Sequence, residues 1–252
     1  MGPSARRTRL CAAGTATLPA LVLLTGCVST QRIAARARLV DARILASQTL
    51  RVVVRADPAV SVARPVVIRG AGGSAIVVSL RNDSARVLSD LPISVGVRSR
   101  RGRPEYLNSS ADLDYFQTHV AAIAPHAVVT WVFTTGRRIG SGLRAFATVG
   151  IPQIRPPAGV DLPRIVASAG GPARGRGPSA WSGAVSVVNR SAIPQYDLPI
   201  YAVAVRGGRV LAAGEGSVSH LGTDGRTTLT ITLLGDERGA ALRLTALPTI
   251  FS

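Results

Sequence analysis

Val78-Ser79-Leu80-Arg81-Asn82-Asp83-Ser84-Ala85, running on to Asp90-Leu91-Pro92-Ile93, returns later in the chain as Val185-Ser186-Val187-Val188-Asn189-Arg190-Ser191-Ala192, running on to Asp197-Leu198-Pro199-Ile200. The offset is 107 residues throughout, without a gap, and nine of the sixteen positions from Val78 and Val185 onward are identical. A period near 100 residues denotes two copies of one domain; solenoid units are shorter. Downstream the match loosens. Arg101-Gly102-Arg103 corresponds to Gly207-Gly208-Arg209, where a hairpin turn is expected, Val120 and Ile123 correspond to Val218 and Leu221, and Val129, Trp131 and Phe133 correspond to Thr227, Leu229 and Ile231. The first copy carries extra sequence between these landmarks, residues 104–118.

Each copy reads as short strands of period two, broken by Gly, Pro, Asn and Asp. Ile93, Val95 and Val97 alternate with Ser94, Gly96 and Arg98, and Leu229, Ile231 and Leu233 alternate with Thr228, Thr230 and Thr232. Only four Phe, four Tyr and two Trp are available, so the core must rest on aliphatic residues, which favour strands. The expected fold class is all-β: two tandem antiparallel sandwiches, residues 50–152 and 163–252, joined by a Pro-rich linker, residues 153–162. Each is long enough to bury a core without cross-links.

The N-terminus has a different character. Arg6, Arg7 and Arg9 precede an apolar run, residues 10–24, that contains Pro19 and is too short to span a bilayer. It has the build of an export leader. Leu24-Thr25-Gly26-Cys27 follows and resembles the bacterial lipobox: an aliphatic residue, two small residues that lie extended in a peptidase cleft, then the cysteine whose thiol accepts diacylglycerol. The expectation is a signal peptide, residues 1–26, removed before a lipidated Cys27. The Arg6-Arg7 pair leaves Sec and twin-arginine export both open. Cys11 departs with the leader, so acylation of Cys27 leaves no free thiol, no disulfide and no thiolate chemistry. Residues 27–49 then form a tether. Ile33, Ala37, Val40 and Ile44 share one face of a short helix, with Arg32, Arg36 and Arg43 beside it. Such a helix lies along an anionic bilayer, serves as a solvated spacer or packs on the first domain.

Asn189-x-Ser191, Asp197-Leu198-Pro199-Ile200, the Val-rich strand after it and the segment from Gly207 to Gly214 resemble the immunoglobulin-like domains of bacterial envelope lipoproteins, the FxLYD type in particular. Asn82-x-Ser84 and Asp90-Leu91-Pro92-Ile93 begin the same pattern in the first copy. The resemblance covers about residues 75–150 and 184–252. Residues 202–206 stand where that type has its aromatic Leu-Tyr-Asp core, so the likeness is to a sandwich class and brings no catalytic residues with it. It implies that Asn-x-Ser ends one strand and caps the turn to the next, with Asn tolerating a left-handed backbone, as a structural element.

The formal charge of +17 comes from 30 arginines and no lysine, against 13 acids. Loss of Arg6, Arg7 and Arg9 with the leader leaves 27 arginines, a formal +14. No recognition helix or series of stacking aromatics accompanies the charge, which excludes nucleic acid as the expected partner and favours anionic lipid or wall polymer. His119, His126 and His220 have no ligand partner at metal spacing. No Gly-x-Ser-x-Gly elbow or phosphate loop occurs. Asp112 and Asp114, after Asn108-Ser109-Ser110, make an oxygen cluster read as a solvated turn, with calcium as the other option. Tyr106, Tyr115 and Phe116 form either a contact surface or core packing. The sequence thus points to a non-enzymatic envelope module without cofactor or metal. It would be held at the extracytoplasmic membrane face by lipid on Cys27 and contact another envelope protein or an anionic wall polymer, with residues 104–118 as the favoured patch. A solute-binding lipoprotein delivering a ligand to a transporter is the alternative.

Overall fold

Among the described residues, runs of alternating Val, Ile, Leu and Thr become fourteen strands, and every pairing among them is antiparallel. The computed structural model describes residues 52–110, 112–152, 156–170 and 181–249. The leader, Cys27 and the expected helix of the tether lie outside these. The first half contains β1 (Val60–Val62), β2 (Val66–Gly70), β3 (Gly73–Asn82), β4 (Leu88–Arg98), β5 (Glu105–Tyr106), β6 (His119–Ile123), β7 (Val128–Thr135) and β8 (Arg144–Val149). The second contains β9 (Ile165–Ala169), β10 (Trp181–Asn189), β11 (Gln195–Arg206), β12 (Arg209–Leu221), β13 (Arg226–Gly235) and β14 (Ala241–Ala246). The fold is all-β and sandwich-like. Among the described residues no helix is long and apolar enough to cross a membrane.

The internal repeat reappears as a repeat of pairing. β3 lies between β1 and β7, as β10 lies between β9 and β13; β4 lies between β6 and β8, as β11 lies between β12 and β14. The registers agree residue by residue. Val78 faces Trp131 as Val185 faces Leu229, and Leu91 faces Val120 as Leu198 faces Val218. Backbone conformation repeats as well. Among the described residues four non-glycines have positive φ, and they fall into two matched pairs: Asp90 (56°) with Asp197 (47°), and His126 (57°) with Asp224 (52°). The expected hairpin at Gly207-Gly208 is a two-residue loop with both φ positive (57° and 75°), the requirement of a type I′ turn.

The Asn-x-Ser motif is a buried plug. The Asn82 Nδ2 amide donates to the carbonyls of Arg86 (2.7 Å), Ala124 (3.0 Å) and Ile123 (3.2 Å), while Oδ1 accepts from the Ser84 backbone N–H (2.9 Å) and hydroxyl (2.7 Å). Asn189 repeats the arrangement, donating to Ile193 (2.8 Å) and Gly222 (2.9 Å) and accepting twice from Ser191. Both asparagines are fully buried, a setting incompatible with glycosylation. Neither has the left-handed backbone expected of it; that role falls to Asp90 and Asp197. Asparagine sits at these positions because its amide supplies donors and acceptors that two loops would otherwise lack.

The two halves share packing. β11 sends Leu198, Ile200, Ala202 and Ala204 into the core of its own half, and Tyr201 and Val203, from its opposite face, into the core of the first. A strand apolar on both faces is what a sheet covered on both sides demands. The Tyr201 hydroxyl (3.5 Å) and the Trp131 indole N–H (3.2 Å) both donate to the Phe116 carbonyl. A second contact joins the end of β2 to the end of β13: a Cβ added at Gly235 would strike Ile68, and one at Gly70 would crowd Leu234 and the Gly235 amide.

Replacing Asn82 with Ala removes five hydrogen bonds and strands buried carbonyls, and is expected to destabilise the fold by about 3 kcal/mol. Asn189→Ala should cost less, because its amide serves two carbonyls instead of three. Urea unfolding of the two variants checks both the magnitude and the order.

Candidate functional site

Pairing of β4 with β8 places two like charges side by side. Arg98 is opposite Arg144, and Gly96 is opposite Phe146. Since Ile93, Val95 and Val97 take the inner face of β4, Arg98 and Gly96 lie on its outer face with their partners. Directly opposed like charges destabilise a sheet, so nothing in folding alone calls for this pair. Arg64, from the β1–β2 connection, and Arg100, from the loop after β4, border the same groove, which has a volume of about 630 Å³. No carboxylate lines it among the described residues. Three other arginines in the described residues are in ion pairs: Arg137 with Glu105, Arg238 with Asp236 and Arg81 with Asp83. None of the four groove arginines is in an ion pair among the described residues, and all four are exposed.

The groove floor is aromatic at one point. Absence of a side chain at Gly96 lets the Phe146 ring lie on the sheet, for a Cβ there would collide with that ring and with the Glu105 carbonyl. Tyr106 meets Phe146 edge-on, with centroids 5.3 Å apart and planes at 85°. The Arg98 guanidinium sits 5.7 Å above the same ring. Stacking of this kind holds the guanidinium while leaving its in-plane N–H donors directed outward. The site can therefore present forked donors to an anion and a half-buried ring to a carbon skeleton.

Residues 104–118, the patch favoured by sequence, send two side chains inward and leave Pro104, Glu105, Ser109, Ser110, Asp112 and Asp114 exposed. Phe116 is buried, and Asn108 is buried with its amide stitched to β4 through the Val95 N–H (2.8 Å) and the Ile93 carbonyl (2.8 Å). The Tyr115 hydroxyl donates to Asp90, and its ring stacks on His119 at 4.1 Å. Asp112 accepts from Ser110, and Asp114 caps the 3₁₀ turn Tyr115–Gln117. Among the described residues no three His, Cys, Asp or Glu side chains are grouped to hold a metal. His126 sits in the β6–β7 turn and His220 packs against Tyr196 at 4.9 Å, so the three histidines do not converge. Of the three aromatics in the insertion, Tyr106 supports the groove from behind, through its edge-on contact with Phe146.

Sequence reasoning passed over Glu215. Its Oε1 accepts from the Thr134 N–H (2.9 Å), the Thr134 hydroxyl (2.7 Å) and the Gln117 amide (3.0 Å), tying β12 of the second half to β7 and the insertion of the first. The Thr134 N–H lies on the edge of β7 that no strand covers, so the carboxylate stands in for a missing strand. Burial pushes the Glu215 carboxyl above its ordinary value and outweighs the three donors; Asp114 adds to the rise. Burial and the neighbouring Glu215 charge likewise push the Tyr201 phenol well up.

No protein-family model matches the chain, and no curated protein matches it.

A carboxyl whose folded pKa is raised binds its proton more tightly folded than unfolded. Its contribution therefore favours folding below the ordinary value of 4.5 and is lost as pH rises through the raised folded value. Glu215→Gln keeps an acceptor for Thr134 and removes this dependence. The stability difference between wild type and Glu215→Gln should shift in favour of the variant as pH rises above 4.5, measured by thermal unfolding across pH. A difference independent of pH would show that the carboxyl is not the titrating group.

Proposed function

We propose that this chain is an exported bacterial lipoprotein, processed before Cys27, whose two tandem immunoglobulin-like sandwiches act as a non-enzymatic binding or structural module of the cell envelope. The basic leader, its short apolar run and Leu24-Thr25-Gly26-Cys27 support export and lipid attachment to the extracytoplasmic face of the membrane. Repetition of pairing, register and left-handed positions across the two halves supports the reading as tandem copies of one sandwich. The observation that carries the binding role is the groove of four exposed arginines, opposed across β4 and β8 without acidic partners. A site built for acid–base turnover would instead bring titratable groups together with a nucleophile.

The partner is an envelope component of opposite charge, reached from a rigid β scaffold that displays the groove beyond the lipid. The diacylglycerol on Cys27 brings two acyl chains, enough for stable anchoring, and the arginines at positions 32, 36 and 43 stand close enough in sequence to add attraction to anionic lipid. The anchor is tested by Cys27→Ser. This variant is expected to lose incorporation of labelled fatty acid and to leave the membrane fraction. Retention of both in the variant would sink the lipoprotein reading.

A further inference from the structure

We infer that the groove between β4, β8 and the β1–β2 connection binds a linear phosphate-bearing polyol or sugar chain, with Arg98 and Arg144 clamping a phosphate and Phe146 under the carbon skeleton. The inference deepens the binding-module reading and rests on it. Three features select the ligand. First, the two opposed guanidiniums stand on neighbouring strands, where cross-strand Cβ atoms are about 5 Å apart. One phosphate seated between them accepts from both forks and cancels their repulsion, which a lone carboxylate does less completely because it has fewer oxygens to share. Second, Arg64 and Arg100 line the same groove, so four positive charges border one site, which suits an anion that repeats. Third, the floor offers one half-buried ring, Phe146. A C–H face of a polyol or sugar fits that floor. A nucleic acid strand draws its affinity from a series of stacked bases, and a single ring serves only one. The concavity also disfavours a flat bilayer, whose headgroups cannot descend to Phe146, whereas one extended chain can.

The stability of the site carries a signature of its own. Arg98 and Arg144 repel each other in the free protein, so Arg144→Ala should leave the thermal midpoint unchanged or raised while weakening ligand binding. A residue with a merely structural role would move both downward.

The test uses the full chain purified in detergent and an oligo(glycerol phosphate) as probe, with binding followed by calorimetry at several salt concentrations. Affinity is expected to fall with salt. Arg98→Ala and Arg144→Ala should each weaken binding by about tenfold at low salt and reduce the salt slope by roughly 1. Phe146→Ala should weaken binding with the slope retained, since it removes packing and no charge. Arg226→Glu, in the second half, should leave binding unchanged. Polyglutamate, single-stranded DNA and vesicles of anionic phospholipid serve as competitors. Equal or tighter binding of any of the three, or indifference of the probe to the groove variants, overturns the inference. These outcomes leave the lipid anchor untouched, because that reading stands or falls on acylation of Cys27.

Discussion

The side-chain amide of Asn82, copied at Asn189, is the interaction on which the architecture turns. At the end of β3 the chain must leave one sheet, cross to the other and begin β4, and the turn between β6 and β7 has to close over the same point. Backbone groups in such a crossing have no strand to pair with, and buried ones would each cost about 1–3 kcal/mol if unmet. One planar amide meets them from both sides. It donates to the crossing loop at Arg86 and to the closing loop at Ile123 and Ala124, while Ser84 returns two donors to its oxygen. The Asn82 N–H then takes the Ala127 carbonyl of that turn, as the Asn189 N–H takes Gly225. Aspartate in this place would lose the donors and bury a charge; glutamine would overreach by a methylene. The strictness of this geometry explains why the motif survives in both copies when most of their surfaces have drifted apart.

Divergence between the copies on one sheet face separates their roles. Positions 94 and 96 of β4 correspond at the 107-residue offset to 201 and 203 of β11. In the second half these are Tyr201 and Val203, large and apolar, and they enter the core of the first half. In the first half they are Ser94, whose hydroxyl accepts from the Val53 N–H at 2.8 Å, and Gly96, which leaves room for Phe146. The same outward face is thus filled and docked in one copy and pared down to a groove floor in the other. Glu215 and Gln117 finish the docked side by supplying acceptor and donor at the open edge of β7.

Much of this was legible in the sequence, for identifiable reasons. The repeat fixed which strands correspond, since conserved Asp-Leu-Pro-Ile marks one crossing and the alternation of β7 with β13 marks the register. Alternation located Thr228, Thr230 and Thr232 on a wet face and Ile231 and Leu233 within. What alternation could not show is a strand covered twice: the run from Leu198 to Ala204 reads as merely hydrophobic until a second layer is placed on it. Nor does sequence distinguish an insertion that reaches outward from one that folds back, and the polar spacing of residues 104–118 hid two inward anchors, Asn108 and Phe116. Glu215 left only a weak trace, an acid between Gly214 and Gly216 in an otherwise small and apolar strand. The groove was the least visible feature. In a chain whose every cation is arginine, four more carry no signal until pairing brings them to one place.

That last point bears on how an all-arginine surface can acquire specificity. Dispersed guanidiniums attract any polyanion, and the attraction is screened over about 8–10 Å at ordinary ionic strength. Opposing Arg98 to Arg144 changes the physics. Like charges directly opposed across strands destabilise a sheet by roughly 0.2–1 kcal/mol, a modest cost that this sheet sustains through the inner-face packing of Ile93, Val95 and Val97. The cost is recovered only by an anion that fits between them, and Phe146 beneath restricts which anions can settle there. A field that is indiscriminate across the molecule becomes selective where the backbone holds two like charges closer than they would choose to be.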